Sequence, residues 1–397
     1  MFENIIGQRQ VVERLVAETQ GRLLPPVLLF HGPDYSAKCS TALELARVLT
    51  CTGGDRTVPW GCPCRSCTQQ RHLLHPDTLL LGGRYFNREI AVAAAALKRD
   101  DRLPLRYLLE RAVRKLTRRF DPVLWEGDET RIKKVEPLLS ALDEKLELYL
   151  PGSQGPDDKK YISGIDAVVD LCDKIADVTS LDSVPVNVIR RVSIWSHLAS
   201  QGPGKVAIIE NVDRLNDSAR NALLKTLEEP PRQTYFVLTT VRRGAVIPTI
   251  LSRARSYGFA PRGGADSADV IRKIFRDEPR ESASIRDYFS FVDGRGFRPL
   301  AERFLEACVG NGDLELGLLD EIELTIKNMS GSEGFRYFAQ ELTDLLHGIL
   351  RSSEPISPRV IAQWRDLLRT AITRVESYNV QPTLALEGLY QGMRYSA

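Results

Sequence analysis

Four of the seven cysteines, Cys51, Cys62, Cys64 and Cys67, fall within seventeen positions, separated by spacers of ten, one and two residues. Zinc prefers such thiolate sets in a tetrahedron, where it stabilises a loop-rich excursion that has little core of its own. Four sulfurs leave no open position for water, so the implied role is structural rather than catalytic. Four reduced thiols in a loop is the other reading, and the one-residue Cys62-Pro63-Cys64 spacer favours it. An odd cysteine total with this clustering suits a metal site in a reducing compartment better than a disulfide framework. His72 and His75 follow the cluster and read as loop or capping histidines rather than ligands.

A second group of residues has the shape of phosphate chemistry with parts missing. Gly32 to Cys39 (GPDYSAKC) has the length and the lysine, Lys38, of a phosphate-binding loop. Such a loop needs glycine before the lysine, so that backbone amides wrap the phosphates, and a hydroxyl after it for magnesium. Ala37 and Cys39 occupy those places, and Tyr35 stands where another glycine is usual. An ordinary strand-to-helix turn and a nucleotide site both remain open on these residues. Glu210 ends an apolar run where a nucleotide hydrolase places its metal-holding acid, but the next residue is Asn211, which cannot take a proton from water. Ser252-Arg253 offers an arginine that can act on a phosphate held by a neighbouring subunit, or simply form a surface salt bridge. Arg106, Arg111, Arg114, Lys115, Arg118 and Arg119 form a basic stripe, read as a solvated helical face paired with nearby acids rather than a DNA contact.

These residues must be positioned by alternating strands and helices. Val27–His31 is a strand leading into the lysine loop, with helix from Thr41 to Leu49; an earlier helix spans 5–20, stopped by Pro25-Pro26. Lys205–Glu210 (KVAIIE) reads as a strand buried on both faces, followed by a helix capped by Asn216 or Asp217 and stopped by Pro230-Pro231. Thr234–Thr240 and Ser256–Phe259 are further strands. The pattern is that of an α/β domain with a parallel sheet. Residues 84–183 read as helical, with 106–120 and 131–150 as an antiparallel hairpin. From 261 onward strand signals vanish, leaving helices at 266–276, 283–292, 299–308, 315–328, 334–350, 358–375 and 380–393.

The length of 397 residues calls for two to four domains. A balance of 54 basic and 52 acidic residues gives a net charge of +2, so no global field draws the chain onto nucleic acid or membrane. The N-terminal residues do not read as a signal peptide, and no apolar stretch reaches membrane-spanning length.

Lys205–Pro231 (KVAIIENVDRLNDSARNALLKTLEEPP) resembles the acidic strand and following helix of bacterial clamp-loader subunits. The resemblance extends to IIGQRQVVERL, HGPDYSAKCS, the cysteine excursion with His75-Pro76-Asp77, TYFVLTT and Ile250-Leu-Ser-Arg253. It is nearest to the delta-prime branch of the DNA polymerase III clamp loader, whose nucleotide loop is typically degenerate. It implies an AAA+ α/β domain over 1–260 carrying a zinc module at 51–67, and says nothing of the helical insert at 84–183 within that span. A helical lid at 261–312 and an all-α oligomerisation collar at 313–397 would follow.

On that resemblance Arg253, with Ser252, is an arginine finger acting in trans. Gly32, Lys38 and Glu210 are the remnant of a nucleotide site, with ATP bound by the neighbouring subunit and not by this chain. Thr239 or Thr240 and Arg298 match sensor positions. Zinc is the expected cofactor, on Cys51, Cys62, Cys64 and Cys67. The expected function is a non-catalytic stator without activity of its own in a cytoplasmic, nucleoid-associated hetero-oligomeric ring. Its partners would be gamma/tau-like and delta-like subunits, the sliding clamp and primed DNA. The rival readings are an active gamma/tau-like ATPase and a DNA-binding replication or repair adaptor that uses the insert's basic stripe.

Overall fold

The computed structural model describes residues 1–54, 57–84, 86–155, 158–178, 184–279, 284–293, 297–309, 317–328, 332–349, 357–378 and 380–396. The chain opens with α1 (Arg9–Gln20), β1 (Val27–His31), α2 (Lys38–Thr50), α3 (Arg65–Arg71) and β2 (Thr78–Gly82). The insert follows as α4 (Asn87–Arg99), α5 (Leu103–Thr117), α6 (Pro122–Trp125), α7 (Glu129–Glu147) and α8 (Asp158–Val178). Next come α9 (Val186–His197), β3 (Lys205–Glu210), α10 (Asp217–Glu228), β4 (Thr234–Thr240), α11 (Pro248–Leu251), β5 (Arg255–Gly258) and α12 (Gly264–Lys273). The remainder is helical: α13 (Ile285–Asp293), α14 (Phe297–Val309), α15 (Leu318–Asn328), α16 (Ser332–Ile349), α17 (Pro358–Tyr378) and α18 (Pro382–Ser396).

The five strands form one sheet in the order β2-β3-β4-β1-β5, with every neighbouring pair parallel. Successive residues of a strand face opposite sides, so a sheet covered on both faces needs apolar residues at every position. Val27, Leu29, Ala207, Ile209 and Leu238 pack on one face with α9 and α10; Leu28, Phe30, Val206, Ile208 and Val237 pack on the other with α1 and α2. This is the AAA+-like α/β architecture that the resemblance implies.

The sequence reading passes from β1 directly to 205–210, whereas the structure inserts β2 beside β3. Thr78–Gly82 is five residues, all buried, and a helical insert rather than the next strand follows it. So short an apolar run has too little periodicity to identify itself. Gly82 is required there: at φ +116° a Cβ would lie 2.2 Å from the carbonyl oxygen of Glu210. The Asn216 side chain does cap α10, its Oδ1 accepting from the N–H of Ala219 at 2.8 Å.

The insert is helical as expected, but its close pairings are α4 with α5, α4 with α8 and α7 with α8, not the hairpin of 106–120 with 131–150. Apolar side chains from all four helices converge, because each has an apolar stripe needing a partner face, and the middle helices need not pair in sequence order. The chain divides into two compact units, residues 1–289 and 290–397. Among its described residues the second has helices and no strand, with Phe304, Phe338 and Trp364 among its fully buried side chains. Among the described residues, no helix is long and apolar enough to cross a membrane.

Candidate functional site

The loop between β1 and α2 joins a buried strand to a helix that begins at Lys38. Tyr35 and Ala37 lie at φ +60° and +70°, the left-handed region that glycine enters without strain and other residues enter at a cost of about 1–2 kcal/mol. Gly32 is needed for packing: a Cβ there would come within 2.3 Å of the Phe259 carbonyl oxygen. Lys38 is buried, and its ammonium donates to the carbonyl oxygens of Gly32 at 2.6 Å and Pro33 at 2.5 Å. Burial lowers its pKa to about 8, against the opposing pull of Asp34 and Glu210. Arg262 ties the loop to the N-terminal segment, donating to the carbonyls of Tyr35 and Ile6.

Glu210, at the end of β3, is buried and fully partnered. Arg84 donates to its Oε1 at 3.1 Å and Arg119 to its Oε2. Burial pushes the Cys39 thiol up to about 11, and the Glu210 charge acts in the same direction. Burial alone would raise the Glu210 pKa, but Arg84 and Arg119 outweigh it and hold the group at about 2. Glu89 extends the network by pairing with both Arg84 and Lys115. Asn211 Nδ2 donates to the Gly83 carbonyl at 2.6 Å. The expected sensor threonines are likewise engaged: Thr239 accepts from the Asn211 N–H at 3.3 Å, and Thr240 donates to Asp213 at 2.7 Å. Arg298 lies on α14 and pairs with Glu302 at 2.9 Å.

The four cysteines are brought together. Their sulfurs all lie within 4.8 Å of one another, with Cys51 at 3.9 Å from Cys62 and 3.8 Å from Cys64. A tetrahedral zinc with sulfurs at about 2.3 Å sets its ligands about 3.8 Å apart, so the donor set fits that ion, including the tight Cys62–Cys64 pair. The backbone N–H of Gly53 points at Cys51 Sγ (3.3 Å), and that of Cys67 at Cys64 Sγ (3.3 Å). Burial opposes ionisation of Cys64, yet the Cys67 N–H and Thr52 bring its pKa down to about 6.

Arg47 supports the centre from behind, donating to Cys67 Sγ at 3.3 Å, to the carbonyls of Val58 and Pro59, and to buried Glu44 at 2.6 Å. Helix α2 thus starts at Lys38 and ends against the cysteine centre. His75 accepts from the Asp77 N–H at 3.1 Å and meets Ser66 at 3.0 Å, and His72 meets Glu110 at 2.8 Å; neither joins the sulfur cluster.

Arg253 and Ser252 are exposed after α11. Arg253 donates to the Thr249 carbonyl at 2.9 Å and to Glu228 at 2.8 Å, while Ser252 donates to the Thr249 carbonyl at 3.1 Å. An ion pair this exposed contributes only about 0–1 kcal/mol and yields readily to a stronger anion.

The basic stripe is paired with acids as expected but is not a solvated face. Arg106, Lys115 and Arg119 are buried, on Asp101, Glu89 and Glu210 respectively. Arg111 donates to the carbonyls of Gln70 and Arg71, Arg114 pairs with Asp143, and Arg118 donates to Thr78. Helical spacing shows which residues share a face and not what that face meets. No local sequence signal marks Arg84, Glu89 or Arg47.

Residues 168–262 match a protein-family model described as DNA polymerase III, delta subunit. The resemblance read from the sequence is borne out over this stretch. The delta-prime subunit of DNA polymerase III from Yersinia pestis is 42% identical over 73 residues, 18% of this chain and 21% of that protein. The Escherichia coli delta-prime subunit is 33% identical over 106 residues, 27% of this chain and 26% of that protein. The Bacillus subtilis tau subunit is 31% identical over 146 residues, 35% of this chain and 26% of that protein. The chain therefore spans about a fifth to a quarter of the length of the curated relatives it matches. A solved structure of a gamma-subunit-related protein from Thermotoga maritima aligns at 18% identity with a TM-score of 0.30, covering 60% of this chain and 92% of that one.

Proposed function

We propose that this chain is a delta-prime-like stator of a DNA polymerase III clamp loader, bearing a structural zinc and contributing Arg253 to a neighbouring ATPase subunit. The carrying observation is an asymmetry of commitment. The groups that would handle a nucleotide, Lys38 and Glu210, are buried on partners within the chain, whereas Arg253 is exposed on a weak ion pair. In that role Arg253 leaves Glu228 and donates to phosphate oxygens across a subunit boundary as their charge rises in the transition state. Ser252 and α11 position it.

In this reading 261–312 serve as a lid and 313–397 as the collar of a hetero-oligomeric ring, with gamma/tau-like and delta-like subunits, sliding clamp and primed DNA as partners in the cytoplasm. Cys51, Cys62, Cys64 and Cys67 hold the zinc, whose contribution is to fold the excursion. The likeness to a tau subunit favours a second reading, an active ATPase. Equilibrium titration with magnesium ATP separates the two: no saturable binding is expected, and micromolar affinity would establish the motor. The stator is tested by ATP turnover of the reconstituted ring on primed DNA with clamp. Arg253→Ala should lower turnover by about 10³-fold or more with assembly intact, and unchanged turnover would sink the finger.

A further inference from the structure

A magnesium nucleotide does not fit the residues at the loop, and the reason reaches beyond the loop itself. We propose that the helical insert supplies a built-in replacement for the nucleotide's cation: Arg84 and Arg119 lock Glu210 and hold the site in a nucleotide-free state.

A strand-end acid in this position ordinarily faces a divalent metal. Here two guanidinium groups, carrying the same total charge of two, donate to its two oxygens. Both arginines belong to the insert, one just before α4 and one just after α5, and Glu89 and Lys115 cross-link those helices beside them. Arg119 is 3% exposed, its guanidinium lies 5.2 Å from the Phe86 ring, and its carbonyl accepts from Trp125 Nε1 at 2.7 Å. Cys39 stands where a magnesium-binding hydroxyl would, and it is buried. Lys38 completes the arrangement by taking loop carbonyls as acceptors in place of phosphate oxygens. Entry of magnesium at Glu210 requires displacing buried, paired charges, which is strongly unfavourable in a low-dielectric interior. Repairing the loop alone therefore does not restore the site.

The idea deepens the non-catalytic reading and rests on it, and the test separates the two. In the full-length chain, Tyr35→Gly, Ala37→Gly and Cys39→Thr together restore the loop's glycines and hydroxyl. Titration with magnesium ATP should show no saturable binding by this triple variant, and at least about tenfold tighter binding once Arg119→Met is added. Saturable binding by the triple variant with both arginines in place overturns the lock. If Arg119→Met prevents folding, judged by circular dichroism, Arg84→Met at its 25% exposed neighbour takes its place. Absence of a gain in the folded variant also overturns it. Saturable binding by the unmodified chain would instead overturn the non-catalytic reading.

Discussion

Two excursions leave the sheet of the first unit, and they are held by different forces. The cysteine excursion at 51–67 buries only a small cluster, Val58, Cys62 and Cys67 against Val48 of α2. The insert gathers a continuous apolar core of its own, with Leu97, Leu109, Leu142 and Ile165 all without exposure. Small segments bury too little surface to offset their ordering entropy and need a cross-link, whereas a bundle of helices supports itself. A self-supporting insert can then direct its charged side chains at the host: Arg84, Arg118 and Arg119 donate to groups at the strand ends.

Metal removal gives the sharpest separation of the two. Structural zinc centres contribute about 10–16 kcal/mol of folding energy. With zinc on the four cysteines as proposed, chelation or Cys64→Ser should release it and speed amide exchange through 57–71, leaving α5 and α8 protected. Equal acceleration in both excursions would break the comparison. Zinc retention should also weaken on acidification, because the sulfurs bind as thiolates.

Arg119→Met tests the insert's grip on the sheet. Removing one partner of a buried pair costs about 3–5 kcal/mol, to be read from urea unfolding with zinc content unchanged. Leu109→Ala tests the insert's own core, with an expected loss of about 2–5 kcal/mol. If that substitution released zinc, the two excursions would be one cooperative structure.

Acid probes the same grip more gently. The Glu210 pKa is depressed to about 2 from its ordinary 4.5. Its stabilisation is therefore complete above about 4.5 and is lost as pH falls from there towards 2. The stability gap between the unmodified chain and Glu210→Gln, followed by urea midpoints, should narrow across that window. A gap constant with pH would show that the ion pairs do not anchor the insert. Arg253→Ala has the smallest expected effect on folding, under about 1 kcal/mol, because its pair with Glu228 is solvent-exposed.

Much of the fold was legible in the sequence. KVAIIE and TYFVLTT are strands, Asn216 caps the intervening helix, and the C-terminal unit is helical, because these features are written in local period, capping residues and prolines. Strand β2 is not legible in the sequence because three leucines between Thr78 and Gly82 carry no rhythm. Nor is the pairing within the insert legible there, since amphipathic helices show that they have a buried face without naming its partner. The cysteine cluster was legible from type and spacing, while Arg47 behind it was not.

By itself the sequence determined the place where residue types depart from those of a phosphate loop: Tyr35, Ala37 and Cys39 between β1 and α2, and Asn211 after Glu210. Only the tertiary structure decided what fills that place. Arg84 and Arg119 stand 126 and 91 positions from Glu210 in the chain. Charges that far apart leave no mark of spacing on the sequence. Their pairing follows from how the insert's helices pack and which arginines that packing delivers to a buried carboxylate.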